Sequence, residues 1–172
     1  KLMILKKNLV FLGMMGSGKS SIGYLVSKKL DLMFTDIDDL IEKESGISIS
    51  EIFKKKGEDY FRNLEEKVTL KALKEFNRVI SLGGGGFINN KIRKEILINH
   101  FSFWLNWDES ILLKRIKDSK KRPLVFQATD LEIKQLIKER TKIYSKTQFK
   151  INCNKLTKAE IVKKIVKIYE LN

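Results

Sequence analysis

The stretch Asn8-Leu9-Val10-Phe11-Leu12-Gly13-Met14-Met15-Gly16-Ser17-Gly18-Lys19-Ser20 decides the fold. It opens on a short apolar run, Asn8 to Leu12, of the kind a buried strand needs. It leads into an amphipathic run from Lys19 to Leu30, with Ile22, Leu25, Val26 and Leu30 placed on one helical face. Between them stands the pattern G-x-x-x-x-G-K-[ST] in full, after a strand and before a helix, which is the context the pattern requires. Glycines let the backbone wrap round an anion with successive N–H groups pointing inward. The helix that follows adds the positive end of its dipole. A nucleoside triphosphate is therefore expected on Gly13, Gly16, Ser17, Gly18, Lys19 and Ser20, with Ser21 alongside. Lys19 reaches the β- and γ-phosphates in this reading, and the Ser20 hydroxyl faces Mg²⁺.

Outward from this turn, short apolar runs alternate with longer amphipathic ones. Leu32 to Thr35, Arg78 to Leu82, His100 to Leu105 and Phe149 to Asn152 read as further strands. Helices are expected after the Asp36–Asp38 turn, from the Ser48 capping box to Lys56, and from Glu58 to Phe76. That last helix has Phe61, Leu64, Val68 and Leu73 inward. Further helices are expected over Asn90 to Ile98, Glu109 to Ile116 behind an Asp108 cap, and Leu131 to Ser145. Another follows the Thr157-Lys158-Ala159-Glu160 capping box. Lys117 to Thr129 is charged and aperiodic. Strands separated by helices argue for an α/β fold, a parallel sheet covered on both faces. Ligands of such sheets bind at the carboxyl ends of the strands. Three turns therefore come forward, after Leu12, after Thr35 and after Leu82.

The second turn carries Asp36-Ile37-Asp38. In extended chain the two carboxylates point the same way, one toward a metal-bound water and one toward an acceptor hydroxyl. The competing reading is that one or both cap the next helix. The third turn carries Gly83-Gly84-Gly85-Gly86, and four glycines in a row point to close approach of backbone and ligand. Arg62 on the long helix and Arg140 on a later one are ambiguous alone. Arg122, in Lys121-Arg122-Pro123-Leu124, sits in a segment long enough to close as a lid over a transferring phosphoryl group.

Composition narrows the classes. The chain has 172 residues, 42% hydrophobic and 33% charged, the balance of one folded domain. No apolar run approaches the roughly 20 residues of a membrane span. One cysteine, Cys153, and one histidine, His100, exclude a disulfide framework and a His- or Cys-rich metal site. Cys153 reads as a buried structural thiol and His100 as a strand-edge residue. With no export pattern and no disulfide, the cytoplasm is the expected compartment. The net charge of +14 comes from twenty-nine lysines and six arginines scattered along the whole chain. Without clustered arginines and aromatics this favours neither nucleic acid nor a membrane surface, although a nucleic-acid-binding ATPase is the rival class to test. Asn154-Lys155-Leu156-Thr157 lacks the carboxylate that reads guanine, which argues against a GTPase.

Taken in order, these elements resemble the shikimate kinase family. They are Gly13 to Ser20, Asp36-x-Asp38, Gly57-Glu58-x-x-Phe61-Arg62-x-x-Glu65, Ser81-Leu82-Gly83-Gly84-Gly85, Arg115 with Arg122-Pro123-Leu124, and Arg140-x-x-x-Tyr144. The resemblance spans nearly the whole chain. It implies a three-layer α/β/α P-loop kinase fold with a five-stranded parallel sheet in order 2-3-1-4-5. It implies a single domain over 1–172, with substrate-binding helices at about 37–76 and a lid at about 117–129. It implies transfer from ATP to the 3-hydroxyl of shikimate, on the way to chorismate and the aromatic amino acids, by a monomer with no nucleic-acid or membrane partner. Asp38, Arg62, Gly84 with its neighbours Gly83 and Gly85, and Arg140 would hold shikimate. Ser20 and Asp36 would serve Mg²⁺, Lys19, Asp38 and Arg122 the chemistry, and Arg115 the adenine. Gly86, where the family commonly has Ala, is a departure. Another small P-loop kinase, acting on gluconate or a nucleotide, is the nearest rival.

Overall fold

The computed structural model describes residues 7–119, 125 and 127–172. Arg122 and the neighbouring part of the expected lid, 120–124 and 126, lie outside the described residues. The chain runs β1 (Leu9–Leu12), α1 (Lys19–Leu30), β2 (Met33–Asp36), α2 (Ile37–Ser45), α3 (Ile49–Lys56) and α4 (Glu58–Ala72). It continues through β3 (Arg78–Ser81), a 3₁₀ turn (Gly86–Ile88), α5 (Asn90–Asn99), β4 (Phe101–Asn106), α6 (Glu109–Ser119), α7 (Asp130–Tyr144), β5 (Phe149–Asn152) and α8 (Lys158–Glu170). The five strands form one sheet in the order β2-β3-β1-β4-β5, every pairing parallel. The expected order and fold class are those observed.

Strand alternation builds the layers. Leu9 and Phe11 of β1 face one side, with Ile22 and Val26 of α1 and Ile161 and Ile165 of α8. Val10 and Leu12 face the other, with Ile37, Ile41, Phe61, Val68, Ile92 and Tyr144 from helices α2, α4, α5 and α7. Because each side chain alternates, a one-residue slip of β1 would exchange the two layers, so the register is firmly held. That register sets Phe11 of β1 and Asp36 of β2 level with Ser81 of β3. The three turns singled out in the sequence therefore leave the sheet side by side, at the same edge.

Four details differ from the sequence expectation. α4 ends at Ala72, not Phe76, since the chain closes two tight turns onto Lys71 and Ala72 and reverses through Asn77 at φ 56. Leu25 is exposed, because Ile22 and Val26 take the sheet-facing stripe of α1. Asp38 lies in the first turn of α2 and not in extended chain, so it does not share a direction with Asp36. His100 is fully buried between the end of α5 and the start of β4, its Nε2 3.3 Å from Glu95 Oε1, so it lies just before the strand it was expected to open. Cys153 is buried as expected, and burial pushes its thiol up to about 11, which keeps it unreactive.

Gly86 opens the 3₁₀ turn by donating to Gly83 O at 3.1 Å, and its φ is not positive. A Cβ built there meets only Leu82, at 3.4 Å and beyond. Glycine is therefore not required, and its extra freedom in the unfolded chain costs stability. Gly86→Ala is expected to stabilise by about 0.4–1 kcal/mol, a rise of roughly 1–4 °C in Tm by differential scanning calorimetry.

Candidate functional site

The turn after β1 is built around glycine geometry. Gly16 and Gly18 sit at φ 78 and 88, and Gly18 is the left-handed cap from which α1 starts. The Lys19 side chain is buried, and its ammonium donates to Gly13 O and Met14 O, both at 2.8 Å. Ser17 is fully buried, its Oγ without a hydrogen-bond partner among the described residues, and Ser21 Oγ lies 3.3 Å from Gly18 O. Arg115 reaches across from α6 and donates from Nη1 to Gly16 O at 3.1 Å.

Asp36 reconciles the two readings of its turn. One carboxylate oxygen caps α2 by accepting from Asp39 N at 3.2 Å, and the other accepts a hydrogen bond from Ser20 Oγ. Ser20 and Asp36 thus present a hydroxyl and a carboxylate at the mouth of the phosphate-binding turn. No cluster of three or more His, Cys, Asp or Glu side chains forms among the described residues. Such a sparse donor set fits Mg²⁺, which keeps waters and shares one or two protein oxygens with substrate phosphates. It does not fit a caged structural metal.

Asp38, Arg62, Gly83, Gly84, Gly85 and Arg140 line a single half-open cleft, beside the P-loop residue Met15. The glycines are there for space. None of the three has a positive φ. A Cβ on Gly83 would lie 2.6 Å from Asp38 Oδ1, and one on Gly84 3.0 Å from Arg140 Nη1. A Cβ on Gly85 would collide with the Arg62 guanidinium. The close approach inferred from the sequence is therefore made first by the protein's own charged side chains.

Several contributors carried no separate role in the sequence reading. Ile49 and Phe53 from α3, with Phe61 from α4, make an apolar wall, the two rings 4.7 Å apart. Gly57, at φ 85, breaks α3 from α4 and lets their aromatic residues meet. Glu65 is only 2% exposed and accepts from Arg62 Nη1 at 2.8 Å, while Glu58 lies 3.5 Å from Arg62 Nε. Burial pushes the Glu65 carboxyl above the usual carboxylate range, opposed by the Arg62 charge and hydrogen bond. Helical spacing of three from Arg62 was the available signal for Glu65. Tyr144, one turn beyond Arg140, donates its hydroxyl to Gly84 O, and burial pushes that hydroxyl up to about 12. Arg140 is buried, and its Nη1 has no hydrogen-bond partner among the described residues. A buried cation with an unsatisfied donor, on a residue that lines a cleft, is suited to an anionic group.

The shikimate kinase family model matches residues 15–170. The shikimate kinase of Thermodesulfovibrio yellowstonii is 39% identical over 165 residues, covering 95% of each chain. That of Aquifex aeolicus is 41% identical over 161 residues, covering 94% of this chain and 95% of its own. The structure of shikimate kinase from Acinetobacter baumannii in complex with shikimate superposes with a TM-score of 0.91. It is 27% identical and is matched over 98% of this chain and 96% of that one.

Because the buried Glu65 carboxyl binds its proton more tightly in the folded chain than in the unfolded one, its ionisation works against folding as the pH rises above about 4.3. Glu65→Gln removes that term. The difference in Tm between the variant and the wild type is expected to be smallest near pH 4. It should move in the variant's favour by pH 7, as read by thermal melts at both pH values.

Proposed function

The chain belongs to the shikimate kinase family, and from that premise we propose that it transfers the γ-phosphoryl group of ATP to the 3-hydroxyl of shikimate in the cleft beside the P-loop. The observation that carries the acceptor side is the Nη1 of buried Arg140, unsatisfied among the described residues. With Arg62 it offers a carboxylate two guanidinium groups on one wall of the cleft. Asp38, on the same cleft, suits ring hydroxyls, and the Ile49–Phe53–Phe61 wall suits the carbocycle and excludes water. A nucleotide acceptor would bring about two negative charges on its phosphate, whereas Arg62 is already paired with Glu65 and Glu58, so this wall favours a singly charged carboxylate.

In this reading the P-loop amides of Gly13, Gly16, Ser17 and Gly18 hold the phosphates, with Ser21 beside them. Lys19 neutralises charge on the β- and γ-phosphates. Arg115 lies toward the adenine. Ser20 and Asp36 would hold Mg²⁺, which supplies charge neutralisation on the phosphates. Gly83, Gly84 and Gly85 offer backbone groups to shikimate while leaving room for Arg62 and Arg140. Asp38 orients the attacking hydroxyl and accepts its proton. Arg122 approaches with the lid at about 117–129 and stabilises the transferring group. Phosphoryl transfer asks mainly for positioning and electrostatics, and these residues supply both.

We further place the chain, as one kinase domain over 1–172, in the cytoplasm as a monomer. Its product, shikimate 3-phosphate, serves chorismate and aromatic amino acid synthesis. Among the described residues no helix is long and apolar enough to cross a membrane. No nucleic-acid partner enters this reading.

The deciding measurement is ADP release with shikimate, gluconate and nucleoside monophosphates as alternative acceptors. Release dependent on shikimate alone is expected, and release with another acceptor only would overturn the assignment. Asp38→Asn is expected to lower kcat by roughly 10²–10⁴-fold, while ATP affinity by calorimetry stays at the wild-type value. Wild-type kcat in that variant would remove Asp38 from the chemistry.

A further inference from the structure

Beyond the cleft, the P-loop is buttressed on its other flank by a ring and a cation. Trp107 follows β4, and its indole Nε1 donates to Ser17 O at 2.8 Å. The Arg115 guanidinium lies over that ring, its Cζ 4.0 Å from the centroid, and donates to Gly16 O at 3.1 Å. Two successive P-loop carbonyls therefore hold an aromatic plane and the cation stacked on it. The ring is fixed from beneath. It packs against the apolar layers on both faces of the sheet. Its neighbour Asp108 is tied to Asn154 of the loop after β5 by two hydrogen bonds, of 2.8 and 3.0 Å. Arg115 itself is exposed.

A guanidinium is a flat, delocalised cation that stacks on aromatic faces and has two sides to offer. Trp107 covers one side. Arg115 is exposed, so its other side can take a second flat ring, and a nucleotide seated on the P-loop brings one. A long arginine left unsupported would have to be ordered on binding, which weakens affinity, whereas one already held in place binds without that loss. We propose that Trp107 is a positioning residue of the nucleotide site, holding Arg115 flat so that the purine ring stacks on its outer face. This deepens the reading of the P-loop as an ATP site and rests on it.

The test compares ADP with inorganic pyrophosphate, which has no base, in calorimetric titrations of the full chain. Trp107→Ala is expected to weaken ADP roughly five- to tenfold and pyrophosphate, which feels only the lost bond to Ser17 O, by clearly less. Trp107→Phe, which keeps a ring and loses the N–H, is expected to retain most of the ADP affinity. In turnover, the ATP KM of Trp107→Ala rises while kcat and the shikimate KM hold. The chain has two tryptophans, so ADP is expected to change the emission of the wild type and not that of Trp107→Phe, which keeps Trp104. Where Trp107→Ala does not fold, Trp107→Leu makes the same comparison. Unchanged ADP affinity, equal weakening of ADP and pyrophosphate, or a Trp107→Phe as weak as Trp107→Ala overturns the proposal. Absence of shikimate-dependent ADP release in the wild type overturns the kinase reading instead, and the ADP and pyrophosphate titrations still decide the role of Trp107.

Discussion

Three missing Cβ atoms organise this molecule's working edge. Gly83, Gly84 and Gly85 leave β3 into a space that Asp38, Glu65, Arg140 and Arg62 already fill to van der Waals contact. Any side chain there would displace one of these charged groups. The parallel sheet makes the crowding inescapable, because it ends β1, β2 and β3 level with one another. A fold that brings a phosphate-binding turn, an acidic turn and an arginine-bearing helix to one point leaves room for only one more backbone, and it must be bare. The entropic cost of three consecutive glycines is the counterpart of packing two guanidinium groups and two carboxylates against one strand end.

The charges in that space do not by themselves stabilise the fold. Glu65 is buried deeply enough that burial outweighs the attraction of Arg62 and Arg140, and its carboxyl is raised in spite of them. Buried ion pairs of this kind are weak contributors to stability because desolvation offsets the Coulomb term. What the pair supplies is direction. Arg62 is held by Glu65 at 2.8 Å and braced by Glu58 at 3.5 Å, so its guanidinium is aimed at the cleft and not free to sweep solvent. Pre-ordering of this sort is what an acceptor site needs, since each rotamer fixed in advance is entropy not lost on binding.

How much of this was legible in sequence depended on the range of the signal. The P-loop follows from local pattern and the parallel sheet from strands alternating with helices, so both were readable from the residues, whereas the strand order came only with the resemblance to the shikimate kinase family. The end of α4 was not. Nothing in Leu73-Lys74-Glu75-Phe76 breaks a helical pattern, and the reversal is made by the return to β3 through Asn77. Asp36 and Asp38 were recognised as a pair, yet their geometry was misread, because α2 begins immediately after β2 with no extended residue between. The outcome is a cleaner division of labour, Asp36 turned to Ser20 and Asp38 to Gly83. Glu65, the apolar wall and the hydroxyl of Tyr144 are tertiary facts. Their helical spacings could be counted, but only packing makes them one site.

The two halves of the site are also mechanically joined. The Tyr144 hydroxyl is bonded to Gly84 O and lies 3.9 Å from Met14 Sδ, while the Cβ position of Gly84 lies 3.4 Å from Met15 N. Tyr144 and Arg140 are one turn apart on α7, so the helix that offers a cation to the acceptor is anchored through its own tyrosine to the glycine run and to the P-loop. Movement of α7 away from the cleft would break that contact and withdraw Arg140 together with it. The nucleotide turn and the acceptor wall therefore share one rigid reference, the end of β1 and β3. Alignment of donor and acceptor, the larger part of what phosphoryl transfer demands, is built into the sheet before either substrate arrives.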